Sequence, residues 1–213
     1  MPVEVKICGL STPETMAAAL DAGCDFVGLN FFPRSPRYVP LEKAAALAGL
    51  ARGRARIVAL VVDADDALIV SIAGAVKPDY FQLHGSETPK RVAAIKALTG
   101  KPVIKVIKVA GPEDIARASD YVGAADKFLF DAKAPATLKN ALPGGNGVAF
   151  DWSLLDGRRG FMLSGGLTHD NVAEAIRVTG APMVDVASGV ESSPGVKDVT
   201  LIRKFIEAAK SAR

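Results

Sequence analysis

Two residues able to move protons stand at the ends of short apolar runs: Cys8, after Val3 to Ile7, and Asp131, after Lys127 to Phe130. A thiolate is a competent base. A free thiol of pKa about 8.5, however, is only a few per cent ionised at neutral pH and needs a cationic or hydrogen-bonding neighbour. The sequence does not name that neighbour. Asp131 can act as an acid only if burial or nearby negative charge, the substrate's own included, keeps it protonated. The competing readings are an inert core thiol for Cys8, and a loop cap or an ion pair with Lys133 for Asp131.

Two glycine turns add an anion-binding feature. Phe161 to Leu163 runs into Ser164-Gly165-Gly166-Leu167, and Met183 to Val186 runs into Ala187-Ser188-Gly189-Val190-Glu191. Glycine lets backbone N–H groups approach an anion, and a following helix start adds its positive dipole end. Each turn alone is also what any tight strand–helix connection needs. Two in succession at these places point to a phosphorylated substrate.

The elements that must position these groups follow from alternation. Eight apolar runs (Val3 to Ile7, Phe26 to Asn30, Ile57 to Val62, Tyr80 to Leu83, Val103 to Val109, Lys127 to Phe130, Phe161 to Leu163 and Met183 to Val186) read as strands covered on both faces. Helix signals lie between them. Thr12-Pro13, Pro40, Asp63 or Asp65, Thr88-Pro89, Thr168 and Asp198 open helices, Gly23, Gly100 and Gly180 close three of them, and the helix after Pro112 is weak. Ala132 to Phe150 reads as a long glycine-rich loop before a short helix at Asp151 to Leu155, and a loop of that length is functional or mobile. Strand–helix alternation repeated eight times predicts a parallel (β/α)8 TIM barrel at about 27 residues per unit, near the lower limit of that fold. An open doubly wound sheet would favour G-x-G-x-x-G after the first strand, where this chain has Cys8-Gly9-Leu10-Ser11. Barrel active sites lie at the strands' C-terminal ends. The residues so placed are Lys6, Cys8, Asn30 with the loop to Arg37, Asp63, His84, Lys108, Asp131, Ser164 to Gly166, and Asp185 to Glu191.

Bulk properties narrow the class. The chain has 213 residues, 49% hydrophobic and 23% charged, and reads as one domain over 1–213. A net charge of +3 is too small and dispersed to indicate nucleic acid, and the Arg52, Arg54, Arg56 cluster reads as a solvated edge. No uncharged stretch approaches the roughly 18 residues of a membrane helix. Glu4 and Lys6 in the first apolar run are not expected of a signal peptide. A cytoplasmic protein is expected. Cys24 precedes the second strand and Cys8 ends the first, so they face opposite barrel ends, roughly 16 Å apart. A disulfide needs Cα atoms within about 7 Å, so Cys24 reads as packing.

Taken in order, Lys6-Ile7-Cys8-Gly9-Leu10, Phe31-Phe32-Pro33 with Ser35-Pro36-Arg37-Tyr38-Val39, Gln82-Leu83-His84-Gly85, Phe130-Asp131, Gly147 with Phe150-Asp151-Trp152, Ser164-Gly165-Gly166-Leu167 and Asp185 to Glu191 resemble the phosphoribosylanthranilate isomerase family of tryptophan biosynthesis. The resemblance implies a cofactor-free Amadori rearrangement without a metal, acting on a small phosphorylated substrate, by a monomer or homodimer. It implies Asp131 as the acid that opens the furanose ring, Cys8 as the base at C2, and Arg37 as the partner of the anthranilate carboxylate. Gly165, Gly166, Ser188 and Gly189 would hold phosphate, with His84 and Asp185 lining the pocket. Ala187 stands where the family commonly has serine, and Asn146 where it has threonine. One hydroxyl to the phosphate is therefore expected to be missing. A pentulose-phosphate epimerase would share the fold but want a histidine-rich metal site, and only His84 and His169 are present. A catalytically inert sugar-phosphate-binding barrel is the other alternative.

Overall fold

The computed structural model describes residues 2–134, 137 and 143–212. Eight strands, β1 (Glu4–Cys8), β2 (Phe26–Asn30), β3 (Arg56–Val61), β4 (Tyr80–Leu83), β5 (Val103–Val109), β6 (Lys127–Ala132), β7 (Phe161–Leu163) and β8 (Met183–Val186), form a closed barrel in chain order. All neighbours are parallel, and β1 closes on β8 with Lys6 opposite Asp185. The outer layer holds α1 (Pro13–Asp21), α2 (Leu41–Ala51), α3 (Asp66–Ala75), α4 (Pro89–Thr99), α5 (Pro112–Ala116), α6 (Val172–Thr179) and α7 (Val199–Lys210). Among the described residues no helix is long and apolar enough to cross a membrane.

The helix starts have local causes. Thr12, Asp65, Thr88 and Asp198 each cap a helix by accepting a hydrogen bond from a first-turn N–H. Of the two candidates for the third helix, Asp65 is the cap. Gly100 and Gly180 end α4 and α6 in the left-handed conformation that glycine adopts without strain. Several places differ from the sequence reading. Helix α6 begins at Val172, because Thr168 and Asn171 first form a turn in which Asn171 accepts from the Thr168 N–H. Strand β6 continues through Asp131 and Ala132, which pair with Lys108 and Val109 of β5. A short hairpin, β9 (Glu191–Ser193) with β10 (Val196–Lys197), follows β8, where the sequence shows only turn residues. In the long loop, 135–136 and 138–142 lie outside the described residues, and the expected helix is a 3-10 turn, Trp152–Leu155.

Strand alternation divides the core. Val5, Ile7, Val27, Leu29, Ile57, Ala59 and their equivalents pack outward against the helices. Phe26, Val58, Ile104, Val106, Leu129, Met162 and Met183 fill the barrel's lower interior. The same parity turns Lys6, Cys8, Gln82, His84, Asp131 and Asp185 into its upper interior. The strands are therefore buried on both faces, but the inner face changes from apolar to polar toward their C-terminal ends. Both cysteines are free and buried; Cys24, at the foot of β2, has its thiol pushed up to about 12 by burial and the adjacent Asp25.

Candidate active site

A pocket opens at the C-terminal end of the barrel. Cys8 from β1 and Asp131 from β6 both line it. So do His84, Arg37, and the two glycine turns at Gly165–Gly166 and Ser188–Gly189. These candidates thus meet on one surface although they come from six different strand ends, whereas Asp63 and Lys108 do not line it.

Cys8 stands above Lys6 on the same inner face of β1. The Lys6 side chain is fully buried, and its ammonium donates to Asp185 Oδ1 at 2.8 Å. The other Asp185 oxygen accepts from Ser164 Oγ at 3.1 Å. Asp185 therefore lines the pocket with its carboxylate already engaged by the protein. The Cys8 thiol lies above its usual value, because burial outweighs the pull of Lys6 and Lys197, and Asp185 adds to the rise. These cations are the neighbours that the sequence could not name.

Asp131 is 4% exposed, and its Oδ2 lies 3.3 Å from His84 Nε2, within ion-pair reach but not aligned as a hydrogen bond. Lys133 is turned away and pairs with Asp114 at 3.4 Å, so the Asp131–Lys133 pair is not formed. Gln82 Nε2 lies 3.5 Å from His84 Nδ1 on the other side of the imidazole. Gly144 passes directly over this pair: a Cβ there would fall 2.5 Å from His84 Cε1 and 2.8 Å from Asp131 Oδ2. His169 is half-buried beside Asp170, not at the pocket.

Arg37 is 5% exposed and is held by its loop and by β9. The loop is braced by Asn30, whose Oδ1 accepts from Phe32 N and whose Nδ2 donates to Ser35 Oγ, which in turn accepts from Arg37 N. Glu191 grips the guanidinium with both oxygens, at 2.7 Å to Nε and 2.9 Å to Nη2. Nη2 also reaches the Gly145 carbonyl at 3.3 Å. Lys197 donates to Glu191 Oε1 at 2.8 Å and to the Ala187 carbonyl at 2.7 Å. Burial alone would raise the Glu191 carboxyl, but the Arg37 hydrogen bonds and the Lys197 charge hold it below the usual range. The sequence places Glu191 only as the end of the strand-end stretch Asp185 to Glu191 and does not single out Lys197, because their pairing depends on the β9–β10 hairpin. Ala187 offers no hydroxyl to the pocket; Ser188, in the short 3-10 turn Ser188–Val190, does.

A further buried pair braces the rim. Glu87 accepts from Lys105 at 2.8 Å and from the Asp63 and Gly85 N–H groups, which fixes the connection following His84. Arg56, from the arginine cluster, stacks over the Phe26 ring at 3.8 Å and pairs with Glu4 at the opposite end of the barrel.

The family model described as N-(5'-phosphoribosyl)anthranilate (PRA) isomerase matches residues 5–208. The N-(5'-phosphoribosyl)anthranilate isomerase of Parvibaculum lavamentivorans is 54% identical, the match covering all of both chains. The crystal structure of phosphoribosyl anthranilate isomerase from Thermotoga maritima superposes with a TM-score of 0.87 at 35% identity over 98% of each chain. A structure of such an isomerase in complex with reduced 1-(o-carboxyphenylamino)-1-deoxyribulose 5-phosphate superposes with a TM-score of 0.84 at 34% identity, again over 98% of each. The fold, the order of the pocket residues and these full-length matches agree: the chain belongs to the N-(5'-phosphoribosyl)anthranilate isomerase family.

Proposed function

We propose that this chain converts N-(5-phosphoribosyl)anthranilate to 1-(2-carboxyphenylamino)-1-deoxyribulose 5-phosphate in tryptophan biosynthesis, with Asp131 as general acid and Cys8 as general base. One observation carries the assignment of roles. The thiol and the carboxyl reach a single pocket from β1 and β6, beside two glycine turns suited to phosphate.

The rearrangement is an isomerisation, so protons and electron pairs need only be relocated. Asp131 delivers its proton to the furanose ring oxygen as the anilino nitrogen pushes its lone pair toward C1. The C1–O bond breaks and an open-chain Schiff base forms. Cys8, as thiolate, removes the proton from C2 and leaves an enolamine. The enolamine then takes up a proton at C1 and loses the one on its C2 hydroxyl, which gives the 2-ketone, and proton exchange restores the Cys8 thiolate and the Asp131 carboxylic acid. Each positioned acid or base is worth about 10²- to 10⁴-fold. Phosphate held at Gly165, Gly166, Ser188 and Gly189 keeps the opened sugar in register with the two groups, binding energy spent away from the reacting carbons. Glu191 holds Nε and Nη2 of Arg37 and fixes its orientation, so the guanidinium would meet the aryl carboxylate through Nη1. His84, 3.3 Å from Asp131, lines the pocket beside the acid. Asp185, engaged by Lys6, contributes to the pocket wall beneath the sugar.

We read the chain as one barrel domain over 1–213 acting in the cytoplasm as a monomer or homodimer. Two unpaired thiols, one of them the base, suit a reducing compartment. Turnover of the fluorescent anthranilate-derived substrate tests the roles. Cys8→Ala and Asp131→Asn are each expected to lower kcat by at least about 10²-fold while binding of a reduced product analogue stays within a few-fold. Wild-type-like turnover by Cys8→Ala would sink the mechanism.

A further inference from the structure

We propose that Lys6 is a positioning residue for the reaction: its buried ammonium is the counter-cation of the Cys8 thiolate, and Asp185 limits how much of that charge the sulfur receives. The inference rests on the reading of Cys8 as the base and supplies the group that makes this reading chemically workable.

Three observations carry it. Lys6 and Cys8 are alternate residues of β1, so both turn to the inside of the barrel, where Lys6 has no contact with solvent. Opposite them Gly28 of β2, the register partner of Cys8, leaves a gap that both groups enter. A Cβ at Gly28 would lie 3.0 Å from the Cys8 sulfur and 3.2 Å from the Lys6 nitrogen. The two atoms are therefore no more than about 6 Å apart, the range over which an opposite charge shifts a titration. Finally, an ammonium has three N–H groups, and the hydrogen bond described for Lys6 uses one, toward Asp185. The remaining positive charge faces the sulfur. A buried lysine–aspartate pair does little for stability that apolar residues of the same volume would not do, so its presence under the base calls for an electrostatic use.

The charges facing the thiol come from three elements. They are Lys6 on β1, Asp185 on β8 and Lys197 on β10. Lys197 shares Glu191 with Arg37, so that cluster keeps one net positive charge, which acts on the thiol in the same direction as Lys6 and stays in place in every variant below. Lys6 and Asp185 thus act on Cys8 with opposite signs. A thiolate formed beside the pair leaves Lys6 bridging two anions, and the proton it gave up goes to solvent or is the one exchanged with substrate.

The experiment uses full-length protein carrying Cys24→Ala, which leaves one thiol. The Cys8 thiolate is titrated by its ultraviolet absorbance against Cys8→Ala/Cys24→Ala as blank, and the pH profile of kcat/KM is recorded beside it. Lys6→Met is expected to move the thiol and the rising limb of the profile up by about one unit or more, Asp185→Asn to move the thiol down, and Lys6→Arg to restore a near-normal titration. Damage to packing alone would not give shifts of opposite sign. Where a single variant fails to fold, Lys6→Met/Asp185→Asn leaves no lone buried charge, and its thiol should titrate above that of Asp185→Asn or, failing that variant, above the parent. Shifts of the same sign in the two single variants, or none beyond a few tenths of a unit in Lys6→Met, overturn the proposal. Full turnover by Cys8→Ala would remove the base assignment instead, while the titration still decides whether Lys6 governs the thiol.

Discussion

Gly165→Ala is the most informative single change outside the proposed acid–base pair, because the glycine turn and the strand that carries Asp131 touch at this residue. Gly165 has φ +91°, a backbone conformation that costs an L-residue roughly 1–2 kcal/mol. A Cβ there would lie 2.5 Å from the Ala132 backbone nitrogen and 2.8 Å from Ala132 Cβ, where ordinary contact begins near 3.4 Å. The obstruction is main chain and has no rotamer to adopt. Either the turn or the end of β6 must move by about 1 Å, and Ala132 is the neighbour of Asp131. Overpacking of this kind costs about 1–3 kcal/mol, so the total is about 2–5 kcal/mol. At roughly 2–4 °C per kcal/mol for a chain of this size, melting should fall by at least about 4 °C. A displacement near 1 Å at a reacting group can cost about 10²-fold in rate, so kcat as well as KM should deteriorate. Thermal melting and steady-state kinetics are measured beside Gly74→Ala, where a Cβ on α3 meets nothing within 4 Å. That control should gain about 0.5–1 kcal/mol and keep its kinetics. If Gly165→Ala melted within about 1 °C of the parent and kept kcat/KM within about threefold, the close contact of the turn with the acid strand would be wrong.

Two further expectations concern titrating groups. Glu191 is held below its ordinary value of 4.5 when folded, so the stability it contributes is complete above that pH and is lost as pH falls below it. Glu191→Gln should therefore flatten this part of the acid side of a melting-temperature profile, and it should raise KM by freeing the Arg37 fork; an unchanged acid slope would refute the first point. Cys24, with its thiol near 12, is a protonated packing group at neutral pH. Cys24→Ala should leave kcat/KM within about twofold and cost about 1 kcal/mol in a denaturant titration, while alkylation of the native protein at about pH 8 should spare Cys24 and reach it only on unfolding.

The barrel was legible because its signals are local. Runs such as Phe26–Asn30 and Val103–Val109 end where the sequence predicts, and Thr12, Thr88 and Asp198 cap the helices they precede. Thr168 misled because a side chain that can cap can equally form a turn first, and only the helix geometry separates the two. The β9–β10 hairpin escaped notice because Glu191–Ser193 is too short and too polar for a strand pattern. With it went Lys197 and the pairing of Glu191 with Arg37.

By itself the sequence determined the alternation of strand and helix, and hence which residues end strands at the catalytic face. Cys8, Asp131 and the two glycine turns follow from that one-dimensional order, since a parallel barrel sends every strand end to the same side. The partners of those residues were decided only by closure. Lys6 meets Asp185 across 179 positions and Arg37 meets Glu191 across 154. No local pattern encodes either pair, because each depends on the register at which β1 closes on β8 and on the hairpin that follows. A charge buried in the barrel acquires its meaning from the group opposite it, and that group is chosen by the tertiary fold.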